Sequence, residues 1–273
     1  MIEPLLSDDT FLADVESQPR SAARLDIWWL GQSGYLLQID QQRILIDPYL
    51  SESLTKKYAL TQRPHVRISR RVVDPARLTG ITLVTCSHVH TDHLDAETLA
   101  PIISNNPRLT FVGPRSIQEI IIDRLGRPAD VLLGDSESVE LDNEITITAV
   151  LSVHGAPDHD VQGNPLFLGY IIRVGGFSVY HSGDTIAYPG LADQVRPHDV
   201  DVVFVPINGL LGNMNAPEAA ELCADIHAPI SVPCHYDMFD FNTAPPQPFE
   251  ARCDELGVRS RVLQLGERMT ILS

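Results

Sequence analysis

The sequence predicts an α/β fold built of layers rather than a single doubly wound parallel sheet. Two observations carry this: the chain has two β-rich halves, and each is followed by strand–helix alternation. A third concerns domain number. No Pro/Gly/Ser-rich linker or internal repeat divides the 273 residues, so one domain is expected over 1–273, with residues 1–24 as an acidic, loosely ordered lead-in. A chain of this length can bury most of its apolar surface.

The elements follow in order. "DIWWLGQSGYLLQIDQQRILIDPYL" (26–50) reads as three short β-runs, broken at Gly31–Gly34 and Asp40–Arg43, which form an antiparallel meander. Trp28 and Trp29 belong to its core face. Residues 51–79 show no period. "ITLVTCS" (81–87) is a continuous apolar run of the buried-strand type. Asp95 then opens a helix over "AETLAPII", so residues 87–95 lie on a strand-to-helix loop. "LTFVGP" is a strand, followed by helix "SIQEIIIDRLG", with a capping box from Ser116 and Glu119 and a stop at Gly126. "EITITAVLSVH" is a strand, and "YIIRVGGFSVYHSGD" is a hairpin turning at Gly175–Gly176. The last third alternates: strand "VDVVFVPI", a helix capped by Asn215 with Glu218, strand "PISVPCH", a helix ending near Gly257, and strand "RVLQL".

A formal net charge of -16 repels polyphosphate backbones, so long nucleic acid is excluded as a substrate. There is one local exception. Lys56, Lys57, Arg63, Arg67, Arg70, Arg71 and Arg77 fall between positions 56 and 77, where Asp74 is the one acid. This is either a solvated loop or a basic wall beside a site for a small anion. No stretch approaches the ~18 apolar residues of a membrane span, and no signal-like start is present. Cys86, Cys223, Cys234 and Cys253 are scattered without CxxC spacing, as in reduced, buried thiols. A cytoplasmic location is expected.

"SHVHTDHLD" (87–95) holds three of the ten histidines. Imidazoles and carboxylates together suit Zn, Mn or Fe, and His88 and His90, one residue apart on a loop, can reach one ion. Asp92 and His93 project differently and suggest a second. Two ions need about seven protein ligands, so about three more are required. Three polar residues end apolar runs: His154, Asp184 and His235. Of the other histidines, His65, His198 and His227 read as surface, and His181 as a core histidine. His159 lies on a loop that passes the site if His154 is a ligand.

HVHTDH, a later strand-end histidine, "HSGDT" and "CHYD", in that order, resemble the metallo-β-lactamase superfamily. "WWLGQSG", "FVGP", "GGFSVYHSGD" and "CHYDMFDFNTAP" are similar to its L-ascorbate 6-phosphate lactonase branch, and the resemblance covers about residues 25–268. It implies a four-layer αββα sandwich with two mixed β-sheets and a dinuclear site at one sheet edge. It also implies that His88, His90 and His154 hold one ion, that Asp92, His93 and His235 hold the other, and that Asp184 bridges them. Asp47, in "LIDP", corresponds to an aspartate that accepts the free N–H of a ligating histidine.

The activity expected is hydrolysis of a small anionic ester or lactone by a metal-bridging hydroxide, with two divalent ions (Zn or Mn, with Fe also compatible) as cofactors. Asp92, or alternatively His159, would move the proton. Arg63, Arg67, Arg70 and Arg71 are expected to bind the anion, with Tyr236, Met238, Phe239, Phe241 and Asn242 lining or covering the pocket. Three alternatives compete: a phosphodiesterase on the same metals, a non-haem di-iron redox protein, and a metal-stabilised binding protein without turnover. The redox reading calls for a glutamate where His90 stands and for a flavin partner domain. The partner expected is a small anionic molecule, and a homo-oligomer is compatible with the fold.

Overall fold

The computed structural model describes residues 1–141, 144–156 and 158–273. Among them two mixed sheets face each other. One runs, edge to edge, through Arg268–Leu272 (β13), Arg24–Gly31 (β1), Gly34–Ile39 (β2), Gln42–Ile46 (β3), Leu83–Thr85 (β4), Thr110–Pro114 (β5) and Val131–Leu133 (β6). The other runs through Ile230–Cys234 (β12), Val202–Pro206 (β11), Phe177–His181 (β10), Leu168–Val174 (β9), Thr146–Leu151 (β8) and Ser138–Glu140 (β7). In each sheet an antiparallel meander (β1–β3, β8–β10) hands over to parallel strands (β3–β5, β10–β12). Helices flank the pair, giving the αββα sandwich. The longest are Asp8–Ser17 (α1), Ala96–Asn105 (α3), Ala216–Ile226 (α6) and Gln247–Leu256 (α7), with the shorter Ser53–Tyr58 (α2), Gln118–Leu125 (α4) and Leu191–Val195 (α5). None is long and apolar enough to cross a membrane.

Local rules account for most of these elements. Strand burial on both faces, as in β2 and β11, requires continuous apolar runs, and the sequence supplies them. Asp95 caps α3 by accepting from the Glu97 and Thr98 amides, and Asn215 and Glu218 form a capping box on α6. The sheets are tied together near the strand ends. Tyr35 on β2 stacks on Phe204 of β11 at 4.0 Å between ring centroids, and its hydroxyl donates to the Pro233 carbonyl. Tyr170 of β9 donates to the carbonyl of Cys86, just past β4. Trp28 and Trp29 are buried, as are all four cysteines, which are free.

Three expectations need correction. The lead-in is not loose: it forms α1, which buries Phe11 and Val15, while Asp14 accepts from the Trp28 indole at 2.8 Å and from Arg268 at 3.0 Å. Its acids mask a Phe11/Val15 pair at helical spacing. Ser116 does not cap α4, which starts two residues later after a single 3₁₀ turn; the Ser116 hydroxyl instead donates to the Pro165 carbonyl. "RVLQL" joins no ladder. The Tyr236 hydroxyl both donates to the Leu263 carbonyl and accepts from its N–H, taking the place of a neighbouring strand. The final strand is β13, paired antiparallel with β1.

Candidate metal centre

Parallel β3 and β4 end side by side, and the loops that leave them are bonded together. Asp47, immediately after β3, has φ +42°, a costly conformation for a residue with a Cβ. Its carboxylate accepts from the Ser87 backbone N–H at 2.8 Å, the Ser87 hydroxyl at 2.5 Å and His93 Nδ1 at 2.6 Å. The 87–95 loop folds back on itself, because the His93 and Leu94 amides donate to the His90 carbonyl. This gathers His88, His90, Asp92 and His93. From the opposite sheet, His154 follows β8, Asp184 follows β10 and His235 follows β12. Gly183 has φ +60°, and a Cβ there would lie 2.8 Å from the Leu168 carbonyl and 2.9 Å from Ser87 Cβ. Glycine is therefore required for the Asp184 loop to seat against Ser87.

All seven of these candidate ligands converge. Three sets have donor atoms lying within 4.8 Å of one another: His88, His93 and Asp184; His90, His154 and Asp184; and Asp92, His93 and His235. His93 Nε2 lies 3.4 Å from Asp184 Oδ1 and 3.8 Å from Asp92 Oδ2, and His235 Nε2 lies 3.0 and 3.9 Å from the same two oxygens. Donors placed tetrahedrally at about 2.0–2.1 Å from one ion stand about 3.4 Å apart, so this spacing suits a shared cation. His88 Nε2 and His90 Nδ1 are 2.9 Å apart. The satisfaction of hydrogen bonds gives the same indication. His93 donates through Nδ1 to Asp47, and His88 Nδ1 lies 2.9 Å from the Ser87 hydroxyl, which leaves each Nε2 free to bind a metal. His93 Nε2, His154 Nδ1 and Asp184 Oδ1 are buried with no hydrogen-bond partner, a costly arrangement unless a cation takes their lone pairs.

The electrostatics agree. Burial, aided by His93 and His90, pushes the His88 pKa well below its ordinary value and keeps the ring neutral. For Asp184, burial favours the neutral acid, but His235 and His93 outweigh it and hold the carboxyl well below its usual range. His93 is the counterpart: burial opposes its charge, yet Asp184, Asp92 and Asp47 raise its pKa well above normal. Buried anions flanked by imidazoles thus call for positive charge at one spot, and a divalent ion can supply it in place of a proton.

The Beta-lactamase superfamily domain matches residues 26–235. The chain belongs to the metallo-β-lactamase superfamily. A UPF0173 metal-dependent hydrolase of Opitutus terrae is 27% identical over 248 residues, spanning 89% of this chain and 98% of that one. Among solved structures, Igni18, a metallo hydrolase from Ignicoccus hospitalis, superposes with TM-score 0.68 at 22% identity, covering 91% of this chain and 98% of that one. An isothiocyanate hydrolase from Delia radicum gut bacteria gives 0.72 at 17% identity, over 90% and 99%. The chain is a metal-dependent hydrolase of this superfamily.

The hydrolase's candidate ligands open onto a cleft of about 370 Å³, reached by His90, Asp92, His154 and Asp184. Its other walls come from Leu54, Lys57 and Tyr58 of α2, and from His65, Leu211 and Asn242. The expected anion-binding arginines are elsewhere. Arg67 is buried and spends its guanidinium on the Ser69 and Ser51 carbonyls. Arg70 pairs with Glu3 and Arg71 with Asp74, and both line a separate groove with Thr55 and Lys56. Arg63 lies over the Phe241 ring. The cation in the cleft is Lys57, whose Nζ donates to Thr91 Oγ1 at 3.2 Å, between His90 and Asp92 in sequence.

Tyr236 is core rather than lining: it is buried, stacks on Trp29 at 4.2 Å and bonds Leu263. Met238 and Phe239 pack with Tyr49 and Leu54 behind the cleft. Asn242 does line it, its Oδ1 accepting from Asn208. His159 is exposed, bridged to Pro165 and outside the cleft lining. His181 is a satisfied core histidine, bonded to the Ser33 carbonyl and the Gly183 amide. His65, expected at the surface, is 8% exposed among the rings of Tyr58, Phe239 and Phe241, and burial lowers its pKa. Only the three-dimensional packing of those aromatics marks it as part of the cleft.

Proposed function

We propose that this hydrolase uses two divalent ions, Zn or Mn, to cleave a small anionic ester or lactone, of the sugar-acid lactone kind that the lactonase-like strings suggest. The observation carrying this reading is the set of facing, buried, unpartnered atoms: His93 Nε2, His154 Nδ1 and Asp184 Oδ1. One ion would be held by His88, His90 and His154, the other by Asp92, His93 and His235, with Asp184 shared. When bound, such ions lower the pKa of water toward about 7 and polarise a carbonyl oxygen.

The protein's own groups do the rest. Asp47 and Ser87 fix the orientation of His93 and His88 through their Nδ1 atoms. The Asp92 Oδ2 accepts from Gln32 at 2.9 Å, which leaves Oδ1 to take the proton of the attacking water or pass it to the leaving alkoxide. Lys57 attracts the substrate's anionic group to the rim beside His90, and Asn242 offers an amide on the same cleft. Leu54, Tyr58 and Leu211 present apolar surface that displaces water from the substrate's body. The four buried free thiols fit a reducing, cytoplasmic setting.

The test is a substrate panel given to protein stripped of metal and reloaded with Zn or Mn: a sugar-acid lactone, its phosphorylated form, an aryl ester and bis(p-nitrophenyl) phosphate, beside Asp184→Ala. Metal-dependent lactone cleavage, lost in the variant, is the expected result. Turnover of the phosphodiester alone would replace this assignment with a phosphodiesterase.

A further inference from the structure

Gln32 sits in the turn between β1 and β2, 60 residues in sequence from Asp92 and 203 from His235, and its side chain touches both. The carboxamide nitrogen donates to Asp92 Oδ2 at 2.9 Å and lies 3.1 Å from His235 Nδ1. Gln32 is 1% exposed, and its φ of +53° is a strained conformation that the surroundings must enforce. They do so through its carbonyl, which accepts from the Trp29 indole N–H at 3.1 Å and from the His235 backbone N–H at 3.2 Å. Gly31 precedes it at φ +99°, a backbone conformation strained for any residue with a Cβ, which favours glycine in this turn. A strained, doubly anchored backbone thus aims the side-chain amide at Asp92 while the Gln32 carbonyl holds the His235 backbone, reaching two of the three residues in the Asp92, His93 and His235 set. No such contact from Gln32 reaches His88, His90 or His154.

We propose that Gln32 is a positioning residue for one ion site alone, its side-chain amide holding Asp92 and its backbone carbonyl holding the His235 main chain, so that the Asp92/His93/His235 site retains its cation. This rests on the two-ion reading above. The two sites then differ in support. The Asp92/His93/His235 site relies on Gln32 for Asp92 and His235, and on Asp47 for His93. The His88/His90/His154 site relies on Ser87 at His88. Outer partners of this kind are worth ~10–100-fold in metal affinity, so losing the amide should separate two otherwise overlapping binding steps.

The experiment is zinc titration of metal-free full-length protein by calorimetry, with bound zinc counted by elemental analysis. Wild type is compared with Gln32→Met, which keeps the side-chain length without the amide, and with Gln32→Asn, which keeps an amide too short to reach. The expected result is two equivalents in wild type. In both variants one equivalent should weaken by ~10–100-fold while the other stays within about threefold. A near-UV dichroism spectrum matching wild type identifies the folded variant, and either one suffices. Unchanged binding of both equivalents, or parallel loss of both, would overturn the proposal. A wild type that takes up only one zinc would overturn the two-ion reading together with it, and that result is visible before any variant is measured.

Discussion

Along the ligand rim, candidate donors come just after buried strands, whereas the wall across the cleft is made by α2, a six-residue helix, and by irregular chain around residues 65, 211 and 242. The rim is rigid because parallel strands end side by side and Asp47 and Ser87 join their loops through buried hydrogen bonds. The wall has a different character: its one cation, Lys57, is exposed and holds a single hydroxyl. The contrast teaches that chemistry and selectivity are built separately. In the proposed function, buried, hydrogen-bonded residues would organise the reaction and a surface helix would meet the substrate.

Five substitutions test how sharp that division is. Asp184→Ala removes the carboxylate shared by two donor sets and should lower turnover by more than ~100-fold, beyond what residues one step removed cost. Steady-state kinetics at saturating metal measures this. Asp47→Asn keeps the size of the side chain but weakens the acceptor for His93 Nδ1. It should reduce metal affinity by ~10–100-fold in a competition titration with a coloured chelator, with part of the activity restored by excess metal. On the opposite wall, Lys57→Ala should raise KM for an anionic substrate by up to ~5-fold at unchanged kcat and leave a neutral isostere unaffected. That difference should shrink as ionic strength rises, because an exposed charge is screened. The smallest effects belong to Arg63→Ala and Arg70→Ala, whose KM should stay within about twofold of wild type. A large KM effect at either arginine would move the substrate away from Lys57 and break the comparison.

The same division explains what could be read in advance. The four ligand-type residues from His88 to His93 are close in sequence, and His154, Asp184 and His235 each end an apolar run. The HxHxDH cluster, the strand-end positions and the family resemblance together therefore point to all seven. Asp47 was legible only through the family resemblance of "LIDP". The wall was not, because the basic cluster from Lys56 to Arg77 has no periodicity to say which side chain faces where. Arg67 looks like its neighbours in sequence but is consumed by the carbonyls of Ser51 and Ser69, while Lys57 points into the cleft. His65 becomes a cleft residue through Phe239 and Phe241, about 175 residues away. In the fold, the meander, the Gly175–Gly176 hairpin and the capped α6 follow local rules. Helix α1 and the unpaired "RVLQL" segment do not, since each depends on a distant partner: Trp28 and Arg268 for the first, the Tyr236 hydroxyl for the second.

The account depends above all on two ions held by these seven residues. The most direct measurement is anomalous diffraction at the zinc edge from crystals of zinc-loaded protein. It should show two peaks about 3.5–4 Å apart, one among His88, His90 and His154 and one among Asp92, His93 and His235, with Asp184 between them. A single peak, or zinc bound away from this rim, would contradict the two-ion account.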